Sequence, residues 1–294
     1  MVNSLNIKLK NNPLIYRDIL TIPQNVNFGL ELELDKINPD YVYKLVKEEF
    51  GSKWLVKTDR SLTKNENAEI VTPILHNSKQ TWILLKKMGE LLEKINPTYD
   101  ICSFQVNFDG SMLPTEEDRV RFLKLYSMYE DIIYRFSKGE DEDYRDTIEI
   151  YASPIILLLK GIKQYDNTYI LELFTNNKRH GISFKNIPKD LIEFRTPNMT
   201  SNPILWQNYI TFFYYLLDYV KNNKINMKEI DEYIDNFYKM FILEYYSLEK
   251  KDKAIELTKK IFSKNIDKIH FMHQYLGNKK WNIRKSVFFM CSYD

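Results

Sequence analysis

Strand-like segments that carry charged side chains where a core strand carries apolar ones constrain this chain most. In Asn27-Phe28-Gly29-Leu30-Glu31-Leu32-Glu33-Leu34, apolar and acidic residues alternate with period two. That is the period of a β-strand, so Glu31 and Glu33 fall on the same face. The pattern recurs. Ala68–Thr72 carries Glu69, after a polar loop with Asp59 and Ser61. Ile101–Phe108 carries Gln105 and Asn107, with Asp109 in step, and Leu191–Arg195 carries Glu193 and Arg195. One Glu-x-Glu strand alone is ordinarily the solvated face of a half-exposed sheet. Four such segments together point to faces that meet.

Helical signals lie between the strands. Asp40–Phe50 follows the start signal Asn38-Pro39 and stops at Gly51; Ser78–Ile95 is amphipathic and stops at Asn96-Pro97. Glu116–Ser137 reads as one long helix, and Asn202–Asn222 as an aromatic-rich one. Met227 to about Ser263 is mostly helical. Residues 1–26 read as short extended pieces, Trp54–Lys57 and Gly181–Phe184 as strands, and Gly139–Asp146 as an acidic surface loop. Ser153–Lys160 and Tyr169–Phe174 fit helix or strand equally. The expected class is α+β: a mainly antiparallel sheet with helices on one face and a helical C-terminal region. Residues 1–222 would form the catalytic unit and 223–294 a helical extension packed on it.

Several classes are disfavoured. The 42 Lys and Arg and 40 Asp and Glu are interspersed and give a net charge of +2, without the basic stripe of a nucleic-acid binder. Lys250-Lys251-Asp252-Lys253 and Lys279-Lys280 read as solvated faces. The longest apolar run, Ile155–Leu159, is too short to span a bilayer. Met1–Lys10 lacks the apolar core of a signal peptide. Two distant cysteines, Cys102 and Cys291, imply no disulfide framework and fit a reducing cytoplasm.

If the polar strand faces meet, they line a cavity with three or four carboxylates, two amides and an arginine. Carboxylates in that number repel one another unless cations sit between them, and hard oxygen-binding ions, magnesium or manganese, suit such a set. An arginine beside them suits phosphate through its fork of donors. Together these point to phosphoryl transfer from a nucleotide. No Gly-x-x-x-x-Gly-Lys-Ser/Thr loop occurs and the chain has only 8 glycines, so metals and side chains would hold the phosphates.

The same segments resemble the amidoligase family, within the carboxylate–amine ligase superfamily of glutamate–cysteine ligase and glutamine synthetase. Phe28-Gly29-Leu30-Glu31-Leu32-Glu33 is similar to its opening strand. Trp54–Leu62 followed by Ala68-Glu69-Ile70-Val71-Thr72-Pro73 is similar to its second signature, and Leu191-Ile192-Glu193-Phe194-Arg195 to its late strand. Two positions depart from the pattern. Arg60 stands where an aspartate–glycine–serine turn has glycine. The usual His-x-His strand reads Cys102-Ser103-Phe104-Gln105-Val106-Asn107-Phe108-Asp109, which is similar to a strand of plant and bacterial glutamate–cysteine ligases.

The resemblance implies a curved, mainly antiparallel sheet of the glutamine-synthetase type. It implies a ligase that uses ATP and Mg2+, with Mn2+ as a substitute, to join a small-molecule or peptide carboxylate to an amine through an acyl phosphate. By the same resemblance Glu31, Glu33, Glu69 and Glu193 would hold the magnesium ions. Gln105 and Asn107 would complete a metal shell or hold substrate. Arg195 would stabilise the transferring phosphoryl group, Asp59 would be a metal ligand or accept the proton of the amine, and Arg179 and His180 would touch phosphate. Two alternatives stay open: a glutamate–cysteine-ligase-like enzyme making a γ-glutamyl dipeptide, and an inactive relative that binds a peptide or protein.

Other residues read as structural. His270 and His273 lie three apart without flanking ligands, Cys102 starts a buried strand with no histidine nearby in sequence, and Trp206, Tyr214 and Tyr215 read as helix packing.

Overall fold

A computed structural model describes residues 14–141, 144–185, 190–237, 246 and 248–277. The chain is α+β, built on an open sheet of seven strands, all paired antiparallel. They are β1 Asn27–Asp35, β2 Leu55–Lys57, β3 Asn67–Val71, β4 Leu75–His76, β5 Phe104–Asp109, β6 Ile182–Lys185 and β7 Leu191–Phe194. Their order is β2-β3-β1-β5-β7-β6, with the two-residue β4 pairing with one end of β1.

The helices are α1 Pro39–Phe50, α2 Lys79–Ile95, α3 Glu116–Met128, α4 Glu130–Ser137, α5 Ile148–Tyr151, α6 Ile156–Ile162, α7 Asn167–Glu172, α8 Pro203–Asn222, α9 Met227–Asn236, α10 Lys251–Ile261 and α11 Asn265–Gly277. Starts follow the sequence signals. Asn38 accepts from the Asp40 and Tyr41 amides, Ser78 from Thr81 and Asn202 from Ile204. Gly51 ends α1 at φ 82, a conformation open to glycine. No helix among the described residues is long and apolar enough to cross a membrane.

Alternation gives the sheet one apolar face. Leu30, Leu32, Ile70, Phe104, Val106, Phe108, Ile192 and Phe194 are all buried. Three helices cover that face. Trp82 of α2 stacks on Phe28 at 5.8 Å between ring centroids, Phe122 of α3 meets Phe194 edge-on at 5.9 Å, and Trp206 and Phe213 of α8 stack on Phe104 at 5.6 Å and Phe194 at 4.1 Å. Helix α8 is apolar nearly all round because it is a middle layer. Its Phe212 also packs on Phe262 and on Phe271 of α11. The C-terminal helices thus share one continuous core with the sheet layer.

Several expectations need correction. The helix expected over Glu116–Ser137 breaks at Tyr129, which leaves helical geometry at φ −108 and ψ 14. The break lets the buried Glu130 accept from the amides of Ile155 (2.6 Å) and Ile156 (3.1 Å) and from the Tyr246 hydroxyl (2.9 Å). Both ambiguous segments are helical, as α6 and α7. Lys250 and Lys253 are not a solvated face, because both reach the buried Asp131, at 2.8 and 2.9 Å. The expected surface loop 139–146 contains a buried residue, Arg145, whose guanidinium donates to the carbonyls of Arg195, Thr196 and Pro197. Residues 1–13, Lys279, Lys280 and Cys291 lie outside the described residues.

Burial raises the Glu130 carboxyl to about 8, above the ordinary range, even though three donors favour its charged form. Between about pH 4.5 and 8 the folded chain therefore holds a proton that the unfolded chain has released. Glu130 is expected to make stability fall as pH rises through that window and level off above it. Urea midpoints measured across pH check this, and Glu130→Gln should flatten the slope.

Candidate functional site

The second face of the sheet is polar, and register brings its residues together. Glu33 lies opposite Glu69, and Lys57 continues that row on β2. Glu31 lies opposite Gln105. Gly29, Asn107, Glu193 and Ser183 form the next row across β1, β5, β7 and β6. Arg195 follows β7 on the same face, next to Gln105, and Lys185 ends β6 on that face two residues beyond Ser183. Seven of the expected site residues, Glu31, Glu33, Glu69, Gln105, Asn107, Glu193 and Arg195, therefore share one face. All but Glu31 are buried; its side chain is 13% exposed.

The side chains are tied into one network. Gln105 donates to Glu33 Oε1 (2.8 Å), whose other oxygen accepts from the Ser103 amide (2.6 Å). Arg195 donates to Gln105 Oε1 (3.0 Å) and to the Tyr151 carbonyl (3.1 Å), and pairs with Glu193 (3.1 Å). Asn107 Nδ2 donates to Glu31 Oε1 at 2.9 Å. Lysines complete it. Lys57 pairs with Glu69 at 3.1 Å, and Lys185 pairs with Glu31 at 3.2 Å and with Glu193.

The electrostatics explain how four carboxyls coexist in this space. Burial raises Glu69, and the hydrogen bond and charge of Glu31 raise it further. Burial acts on Glu31 too, but the hydrogen bond with Glu69 and the charges of Lys185 and Lys57 outweigh it and hold Glu31 below the usual carboxylate range. The pair thus favours sharing one proton. Burial also raises Glu33, against the opposing charge of Arg145.

Loop 58–66 stands beside this face. Asp35, in step with Glu31 and Glu33, accepts from the Thr63 amide and hydroxyl, each at 2.9 Å. Asn67 accepts from the Asp59 amide at 2.7 Å. The Asp59 carboxylate takes the amide and hydroxyl of Ser61, both at 2.6 Å; against the opposing effect of half-burial, these donors hold its pKa below the ordinary value. Among the described residues no three His, Cys, Asp or Glu side chains surround one ion position. The four carboxyls are spread along the face, with lysines and one proton between them.

No protein-family profile matches this chain, and no curated protein matches it either.

Three expected residues are not in the network: Asp59, whose partners are Ser61 and Asn67, and His180 and Arg179. His180 has the parity of Ile182 and Phe184, the apolar face. Its ring lies 5.2 Å from that of Phe174 and 3.1 Å from the Ser153 hydroxyl, and burial, then the charge of Arg179, lowers it to about 4. Arg179 is exposed, and its carbonyl accepts from Ser153. His270 is buried against Asn208 (3.1 Å), and burial pushes the Cys102 thiol well above its ordinary value. A shallow cleft lined by Tyr16, Asp18, Lys79, Trp82 and Lys86 lies at α2, with the helices that cover the apolar face.

Lys57, Lys185 and Asp35 are missing from the sequence-derived set. The signal that finds the glutamates also contains them: Lys185 is two residues after Ser183, and Asp35 two after Glu33.

Proposed function

We propose that the polar face is the active site of an ATP-dependent carboxylate–amine ligase on a curved sheet of the glutamine-synthetase type. One observation carries the reading: seven residues of the ligase-like motifs, from four strands distant in sequence, share one buried face of an open antiparallel sheet whose other face is wholly apolar. Burying several charges costs stability that apolar residues would not cost, and such clusters concentrate at functional sites.

The donor chemistry fits a divalent ion. Among the described residues, Asn107 Oδ1 is buried without a hydrogen-bond donor and the Glu193 oxygens receive only the ion pairs of Lys185 and Arg195. With Glu31 these are hard oxygen donors of the kind magnesium takes. A bound ion would neutralise charge on the nucleotide's phosphates.

The chain's own residues would do the rest. Arg195, held by Glu193, Gln105 and the Tyr151 carbonyl, presents a fixed guanidinium to the phosphoryl group that passes from ATP to an oxygen of the acid substrate. The amine attacks the carbonyl carbon of that acyl phosphate, phosphate leaves with the C–O bonding pair, and Asp59 accepts the amine's surplus proton. Gln105 and Ser103 keep Glu33 in place, which makes Glu33 a support for Gln105 and so for Arg195.

The test is ADP release with Mg2+ and pools of acids and amines, with the product weighed. Amine- and acid-dependent ADP release with loss of one water between the joined substrates is expected. ATP neither bound nor turned over by the intact protein would rule the reading out. A γ-glutamyl dipeptide as product would select the glutamate–cysteine-ligase-like alternative, which the Gln105-Val106-Asn107 strand favours.

A further inference from the structure

We propose that the Lys185 ammonium is a built-in occupant of the cation position between Glu31 and Glu193, so that a divalent ion enters the site only by displacing it. The inference rests on the ligase reading only in taking a divalent ion as the ligand.

Glu31 and Glu193 stand on β1 and β7 with β5 between them. Both carboxylates touch Lys185 Nζ: Glu31 Oε1 at 3.2 Å and Glu193 Oε1 in a close ion pair. Asn107 lies between the two strands. Its Nδ2 donates to the same Glu31 oxygen at 2.9 Å, while Oδ1 is buried and has no donor. Two carboxylates are thus assembled around a cation supplied by the chain itself, with the amide of Asn107 on the strand between them. An ammonium is a compact charge on a flexible four-carbon stem. It can leave such a position without moving the backbone, whereas a guanidinium held by several partners, like Arg195, cannot.

Placement agrees with this. Lys185 is the last residue of β6, the edge strand, and its side chain is 20% exposed, whereas the Glu193 side chain is fully buried. The path outward is therefore short for the lysine and closed for the carboxylate. Lys57 enters from the opposite edge strand, but its ion pair is with Glu69 and it is 54% exposed. Lys185 is the cation that holds two carboxylates at once, as a divalent ion between them would.

Binding of Mn2+ alone, without nucleotide, tests this through the ion's paramagnetic relaxation of water. Lys185→Met is expected to bind Mn2+ about tenfold more tightly than the natural chain or better, because a competing charge at contact distance is gone. Equal or weaker binding would overturn the proposal. Loss of the ammonium between these two carboxylates can also unfold the variant, so a second measurement uses the natural chain. Amine-selective acylation, followed residue by residue by mass spectrometry, should label Lys185 faster once Mn2+ is bound. An unchanged rate with Mn2+ bound would overturn the proposal as well. Neither readout needs turnover. Ligase activity with no Mn2+ gain in the variant defeats this inference alone; a Mn2+ gain without any ATP turnover defeats the ligase reading alone.

Discussion

Replacing Glu193 by glutamine is expected to lower turnover by about 10²–10³-fold while the chain still folds. Glutamine keeps the shape of the side chain and removes one charge. That charge is fully buried and faces two cations, Lys185 and Arg195. In the proposed mechanism it does two things: it offers an oxygen to the divalent ion, and it fixes the guanidinium that meets the transferring phosphoryl group. Both interactions matter more as charge develops in the transition state than in the resting complex, so the loss falls on kcat. Glu31→Gln should behave alike, since Glu31 carries charge at the same position from the other strand. ADP release measures the effect, and circular dichroism checks that the fold is kept. Full turnover in both variants would refute the roles given to these carboxylates.

Arg145→Met is expected to destabilise the fold by about 3–5 kcal/mol. Arg145 is buried and donates to three consecutive carbonyls, Arg195, Thr196 and Pro197, at 2.7–3.0 Å. These carbonyls follow β7, where the chain leaves the sheet at Arg195. The Pro197 carbonyl also accepts from the Phe104 amide, but the methionine would leave the Arg195 and Thr196 carbonyls without this donor in a dry interior. The melting temperature should fall by about 10 °C for a chain of this size. Arg145→Lys should recover little, because one ammonium does not reproduce the planar fork. Thermal unfolding followed by circular dichroism checks both variants. Because Arg145 also sets the position of Arg195, its loss should lower activity at temperatures where the fold survives.

The fold was legible where local chemistry decides it. Period-two alternation located β1, β3, β5 and β7, and the caps Asn38, Ser78 and Asn202 marked the starts of α1, α2 and α8. Alternation also put the site carboxylates on one face, because side-chain direction in a strand depends on residue parity alone.

What escaped depends on distant partners. The break at Tyr129 is set by Glu130 finding the amides of Ile155 and Ile156, which the sequence of residues 116–137 does not contain. Arg145 sits among acidic residues and looks like surface, yet its partners are carbonyls some fifty residues away. Lys250 and Lys253 are drawn inward by Asp131, about 120 positions earlier. The lysines that stand between the carboxylates escaped for a related reason. Lys57 and Lys185 approach from opposite edges of the sheet, and a proton shared by Glu31 and Glu69 removes one further charge. Edge position is a property of strand order, and strand order is not written in any one segment.

Manganese makes the most direct test, because its anomalous X-ray scattering locates it independently of everything else in a crystal. In crystals of the intact chain with Mn2+ and a non-hydrolysable ATP analogue, the manganese peak is expected between the Glu31 and Glu193 carboxylates, with the terminal phosphate facing Arg195. Nucleotide and metal bound together on another surface, with those two carboxylates still joined through Lys185, would contradict the account.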